Sequence, residues 1–268
     1  MNNAVATNET KQKLARGETV LGAFFASYVP SPAAVEILGY AGLDFCVFDA
    51  EHAPMDLGTL EHLVRAAEVS GTTPLVRTPG LTNRDILPLL DTGVWGIQIP
   101  HVRGVEDVRE ALRAAKFHPI GQRGFTSRSR AARYGLGIAA ADLPEAANAQ
   151  TMIVVQLEEL DAARNLRELC ELEEIDVFFL APGDLSQSLG VPGKYDDPAV
   201  RKVIDEMVEV LHQEGRVIGT IVSDPAGIEA AVELGARYIV IRAAAILSSG
   251  VTQMRAALSG AQDGNHRD

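Results

Sequence analysis

Cysteine is scarce in this chain of 268 residues: Cys46 and Cys170 are the only two, far apart and without CxxC spacing. That scarcity argues against a disulfide framework or a thiolate zinc site and leaves two reduced thiols in apolar or helical surroundings. Positive charge is also in deficit. With 24 Lys and Arg against 36 Asp and Glu, the formal net charge is −12, which disfavours nucleic acid or an anionic membrane surface as a partner, because phosphate repels such a chain. No apolar run approaches the length of a membrane span, and residues 1–16 hold no apolar signal core, so the expected location is the cytoplasm. The glycine-rich dinucleotide fingerprint is missing after the first apolar run, which lowers the case for a Rossmann sheet.

What is present is ordinary globular composition, 47% hydrophobic and 22% charged, sufficient for a substantial core. Apolar runs and amphipathic stretches alternate along it. Thr19–Phe25, Phe45–Asp49, Thr73–Arg77, Gly96–Pro100, Thr151–Leu157, Asp176–Leu180, Val217–Val222 and Tyr238–Ile241 read as strands, being short, apolar and bounded by turn or charged residues. Helical spacing fills most of the intervals, from Leu57–Val69 to Pro198–Glu214 and Ile246–Leu258. Eight strand–helix units with near-continuous apolar strands predict an α/β protein, a single (β/α)8 TIM barrel over 1–268, with 1–16 and 260–268 as flexible ends.

Ionisable residues gather at the strand ends: Asp49, Glu51 and His52 after the second, Arg77 after the third, Glu158 after the fifth, Asp184 after the sixth. In a barrel these converge on one mouth. Two carboxylates facing one cavity, Glu158 and Asp184, repel unless a cation or proton lies between them, which suits Mg2+ or Mn2+ with open positions for a chelating substrate; capping of the next helix is the other reading of each. His52 suits a metal ligand or a general base. Arg77 suits a salt bridge to Asp49 or Glu51, or an oxyanion. Residues 121–137 carry Arg123, Arg128, Arg130 and Arg133 among glycines and serines; the segment reads as a solvated basic surface or as a lid at the mouth that favours an anionic substrate.

Six stretches then resemble one family. Asp49-Ala50-Glu51-His52-Ala53-Pro54, Val76-Arg77, Leu90-Asp91-Thr92-Gly93, Gln122-Arg123-Gly124, Val155-Gln156-Leu157-Glu158 and Ala181-Pro182-Gly183-Asp184-Leu185-Ser186 resemble, in order, the HpcH/HpaI family of class II pyruvate aldolases, over about Val20 to Leu258.

The resemblance implies a metal-dependent aldolase that reversibly cleaves 4-hydroxy-2-oxo acids to pyruvate, or a related 2-oxo acid, and an aldehyde. A divalent cation (Mg2+ or Mn2+, with Co2+ a further candidate) would be held by Glu158 and Asp184. His52 becomes the acid/base group, oriented by Asp91, and Arg77 stabilises the enolate oxygen. Gln156 hydrogen-bonds near the metal, and the Gly183 and Asp184 amides hold the substrate carboxylate. Asp49 and Glu51 then orient His52, Arg77 or metal-bound water. Homo-oligomers, trimers or hexamers, are implied, with the C-terminal helix Ile246–Leu258 exchanged between neighbours. The alternatives are a carbon–carbon lyase acting on an acyl-CoA ester and a non-catalytic barrel that binds a 2-oxo acid.

Overall fold

The computed structural model describes residues 7–264. Helix α1 (Glu9–Ala15) precedes strand β1 (Val20–Phe25), and α2 (Pro32–Tyr40), β2 (Phe45–Asp49), α3 (Leu57–Val69) and β3 (Thr73–Arg77) follow. The alternation continues through α4 (Asn83–Asp91), β4 (Gly96–Ile99), α5 (Val105–Ala115), α6 (Leu143–Gln150) and β5 (Met152–Leu157). Two short helices, α7 (Leu160–Arg164) and α8 (Leu166–Cys170), lead to β6 (Val177–Leu180) and α9 (Pro182–Ser188). The rest is α10 (Pro198–Gln213), β7 (Ile218–Val222), α11 (Pro225–Glu233), β8 (Tyr238–Arg242) and α12 (Ala243–Gly264). All eight strands pair in parallel and in sequence order, and β1 closes on β8. The expected barrel is what the chain forms.

Strand parity sorts the side chains. On β2, Phe45 and Val47 point into the barrel, whereas Cys46 and Phe48 join the layer beneath the helices. Each of these side chains is fully buried, and removal from water stabilises the fold by roughly 1.5–3 kcal/mol for a large apolar side chain. The interior is filled by fitting large against small. Phe45 stacks on Tyr238 with ring centroids 4.2 Å apart, and Gly22 on the next strand makes room, since a Cβ there would lie 2.3 Å from the Phe45 ring. The barrel is therefore solid at mid-height, and ligands have access only at its ends.

One end departs from expectation. Residues 9–15, read from sequence as part of a loose end, form α1 and close the N-terminal mouth. Asn8 is buried, caps Lys11 N–H at 3.0 Å, and donates to the Trp95 and Gln150 carbonyls. Thr10 donates to Thr73 Oγ1 at 2.8 Å, and Leu14 enters the interior cluster. A single apolar residue suffices for this plug, which is why the segment looks polar. At the other terminus α12 runs through Gly264, so residues 260–264 are helical, and the remainder of the expected 260–268 tail lies outside the described residues. The expected helix 161–172 divides in two at Asn165. Among the described residues no helix is long and apolar enough to cross a membrane.

Candidate active site

Inward-pointing positions become polar at the C-terminal ends of the strands. Asp49 and Arg77 are register partners across β2 and β3, and Arg77 is the register partner of Gln98 on β4. Adjacent strands thus bring a carboxylate, a guanidinium and an amide to one level. Asp49 is fully buried and accepts from Arg77 Nε at 3.0 Å and Nη2 at 2.8 Å. The Ser27, Glu51 and His52 backbone N–H groups also donate to it, at 2.8, 3.1 and 3.2 Å. Burial pushes the Asp49 carboxyl up, but the Arg77, Ser27 and His52 hydrogen bonds and the Arg77 charge outweigh it, so it sits below the ordinary aspartate value. Arg77 also packs over the Phe24 ring at 4.8 Å and lies 3.0 Å from Glu51 Oε2 through Nε. Its Nη1 forms no hydrogen bond among the described residues.

Glu158 stands at the exit of β5, only 2% exposed. The His101 backbone N–H donates to its Oε1 and the Gln156 amide to its Oε2, both at 2.6 Å. Burial raises its pKa, the Asp184 charge raises it further, and the His101 N–H, the His101 ring and the Gln156 amide only partly compensate. Asp184 stands exposed in the first turn of α9. A carboxylate driven toward protonation first by burial and then by a second carboxylate is the situation that a hard divalent cation relieves, and an oxygen donor set with few protein ligands suits one that keeps waters or a chelating ligand. Among the described residues no group of three or more His, Cys, Asp or Glu gathers as a metal site, so any cation here relies on this pair.

His52 lies at the same mouth, side chain 58% exposed, with Nε2 3.7 Å from Glu51 Oε1. Its expected partner is absent: Asp91 ends α4, a helix that descends from the mouth, and so lies at the opposite face of the barrel. There it pairs with Arg123, Nη2 to Oδ1 at 2.9 Å. Within one chain Asp91 does not orient His52.

The arginine segment also lies away from the mouth. Residues 121–137 join α5 to α6 and so belong to the N-terminal face, not to the mouth as a lid. Arg130 donates to the Thr92 carbonyl at 3.1 Å and pairs with Glu68, and Arg123 lies over Phe117 at 4.9 Å. A cavity of about 650 Å³ on that face, lined by Trp95, Arg130, Arg133 and Tyr134 among others, contains none of the strand-end residues.

Sequence reasoning missed His101 and Gln98. His101 follows β4 with φ +56°, rare for a residue with a side chain. Its Nε2 is 2.8 Å from Glu51 Oε1 and its Nδ1 is 3.4 Å from Glu158 Oε1. Burial lowers its pKa, but the Glu158 and Glu51 charges outweigh that and raise it overall. The signal was available: Pro100 and His101 end the fourth strand just as Glu51 and His52 follow the second.

The chain is thus an α/β barrel whose mouth sets desolvated carboxylates against a guanidinium. The model of the HpcH/HpaI aldolase/citrate lyase family matches residues 23–243. The chain is 32% identical over 258 residues to a 2-keto-3-deoxy-L-rhamnonate aldolase of Klebsiella pneumoniae subsp. pneumoniae, covering 96% of this chain and 94% of that protein. It also resembles the crystal structure of an HpcH/HpaI aldolase/citrate lyase family protein from Burkholderia cenocepacia J2315 (TM-score 0.88, 28% identity, 94% and 100% coverage). The crystal structure of a citrate synthase superposes with TM-score 0.81 at 27% identity, covering 94% of this chain and 98% of that one. The chain belongs to the HpcH/HpaI aldolase/citrate lyase family, and is an enzyme of the aldolase class.

Proposed function

We propose that this enzyme reversibly cleaves a 4-hydroxy-2-oxo acid to pyruvate, or a related 2-oxo acid, and an aldehyde. The observation that carries this reading is the meeting of two carboxylates at a mouth that also holds Arg77: buried Glu158, and Asp184, whose charge adds to burial in pushing Glu158 toward protonation. Glu158 and Asp184 would hold a divalent cation, Mg2+ or Mn2+, whose charge when bound polarises the 2-oxo group.

The chain's own groups do the rest. The Gly183 and Asp184 amides, in the first turn of α9, receive the substrate carboxylate. Arg77, fixed by Asp49, keeps Nη1 for the oxygen that becomes negative as the C3–C4 bond breaks, a preorganised charge that needs no movement during reaction. His52 takes the proton of the C4 hydroxyl, the C4–O electrons form the aldehyde carbonyl, and the bond electrons pass to C3 as the enolate of the 2-oxo acid. Protonation at C3 completes the cleavage. Gln156 holds Glu158 in place, and Glu51 lies between His52, His101 and Arg77.

Asp91 enters this scheme only through a neighbouring copy, because it lies at the face opposite His52. An oligomer, trimer or hexamer, is therefore part of the proposal. Helix α12 supports it: Leu247, Val251, Met254 and Leu258 fall on one helical stripe and are 59–76% exposed, an apolar face suited to exchange with a neighbour. We place the enzyme in the cytoplasm, where Cys46 and Cys170, both free and buried, stay reduced.

Steady-state assay of a panel of 4-hydroxy-2-oxo acids with neutral and carboxylated aldehyde halves tests the substrate class. Retro-aldol release of a 2-oxo acid is expected for the neutral hydroxyaldehyde members, since the arginine segment of the same chain is remote from the mouth. Cleavage confined to an acyl-CoA ester would overturn the reading.

A further inference from the structure

The hydrogen bonds behind Glu158 have a fixed polarity. An ionised carboxylate only accepts, so Gln156 must turn its NH2 group to Glu158 Oε2, which it does at 2.6 Å. The Gln156 carbonyl then faces away, toward Gln98, and Gln98 must present its own NH2, at 2.5 Å. The direction of donation runs from Gln98 to Gln156 to Glu158, and neither amide can flip without placing oxygen against oxygen.

Gln98 loses by this arrangement. It is 1% exposed, and its Oε1 is buried with no partner among the described residues. Its strand neighbours Ile97 and Ile99 are fully buried and apolar. An apolar side chain at 98 would exchange one unpaired buried acceptor, Gln98 Oε1, for another, Gln156 Oε1, so what the glutamine adds is the order of its neighbour at the expense of its own carbonyl, the kind of departure expected at functional positions.

We infer that Gln98 is a positioning residue for the divalent cation: by fixing the orientation of the Gln156 amide, it keeps Glu158 aimed at the cation. This rests on the metal reading of Glu158 and Asp184 above. Hydrogen-bond partners one step behind a ligand commonly change metal affinity 10–100-fold.

Calorimetric titration of the full chain with Mn2+ tests it, using wild type, Gln98→Met, Gln156→Met, the double variant and Glu158→Ala, with the metal-free melting temperature of each. Gln98→Met should weaken Mn2+ binding on the order of 10-fold while its metal-free melting temperature stays near that of wild type, since one unpaired buried acceptor replaces another. The double variant should bind no more weakly than Gln156→Met, because Gln98 acts only through Gln156. Wild-type affinity in Gln98→Met, additive losses in the double variant, or a lowered melting temperature that accounts for the lost affinity would each overturn the inference. A wild-type protein that binds no Mn2+ overturns the metal reading as well. Loss of binding in Glu158→Ala without loss in Gln98→Met overturns this inference alone.

Discussion

Arg77 grips Asp49 through two parallel hydrogen bonds, Nε to Oδ1 at 3.0 Å and Nη2 to Oδ2 at 2.8 Å, between residues directly opposite in the β2–β3 register. The fork leaves one guanidinium nitrogen, Nη1, without a hydrogen bond among the described residues, on a support that is itself fully buried. Asp49→Asn keeps the shape and removes the charge, leaving the buried arginine with Glu51 as its remaining carboxylate. Loss of one partner of a buried pair typically costs about 3–5 kcal/mol; with Glu51 still beside Arg77, urea unfolding should show a fall toward the lower end of that range. Activity per folded molecule should fall too.

The same pair sets an acid limit. The Asp49 carboxyl is below its unfolded value, so its contribution is fully present above the unfolded aspartate pKa of about 4 and is lost as pH falls through the lower folded value. Measured from pH 7 downward, the stability gap between wild type and Asp49→Asn should stay constant at first and narrow below about pH 4. A gap that widens with acid would show that Asp49 is not the depressed group.

Glu158 and His52 should separate in their effects. Glu158→Ala and Asp184→Ala are expected to abolish divalent-metal dependence together with activity. His52→Ala should leave Mn2+ binding near wild type and lower kcat by roughly 10²–10⁴, the range of a lost general base. Titration calorimetry beside steady-state kinetics checks the split. Equal loss of metal binding in all three variants would remove His52 from its assigned role.

His52 and Asp91 lie at opposite ends of one barrel, so cooperation between them requires two copies. Mixing His52→Ala with Asp91→Ala chains, unfolded and refolded together, should recover activity that neither has alone, through sites assembled from one intact residue of each. No recovery, with Asp91→Ala active by itself, would leave Asp91 as the structural partner of Arg123.

The barrel was legible because its strands are apolar throughout and end in charge: Phe45–Asp49 and Thr73–Arg77 show both their length and their functional end. The mouth residues were legible for the same reason. Placement of 121–137 was not, since arginines among glycines carry no period, and only the order α5, loop, α6, β5 assigns the segment to the far face. Asp91 misled because proximity to His52 came from the resemblance and not from its place at the end of a descending helix. His101 and Gln98 escaped notice because β4 is short and Gln98 sits between two isoleucines, where its inward direction is decided by strand parity. Helix α1 read as a tail because one leucine suffices to plug the barrel.

We propose that Glu158 and Asp184 hold the divalent cation on which formation of a 2-oxo acid's enolate depends. Proton NMR of pyruvate in D2O, without any aldehyde, follows loss of the methyl signal and tests that step alone. Exchange well above the metal-only control is expected with wild-type enzyme and Mg2+ or Mn2+, falling to that control on chelation and in Glu158→Ala. Undiminished exchange after chelation, or in Glu158→Ala, would contradict the proposal.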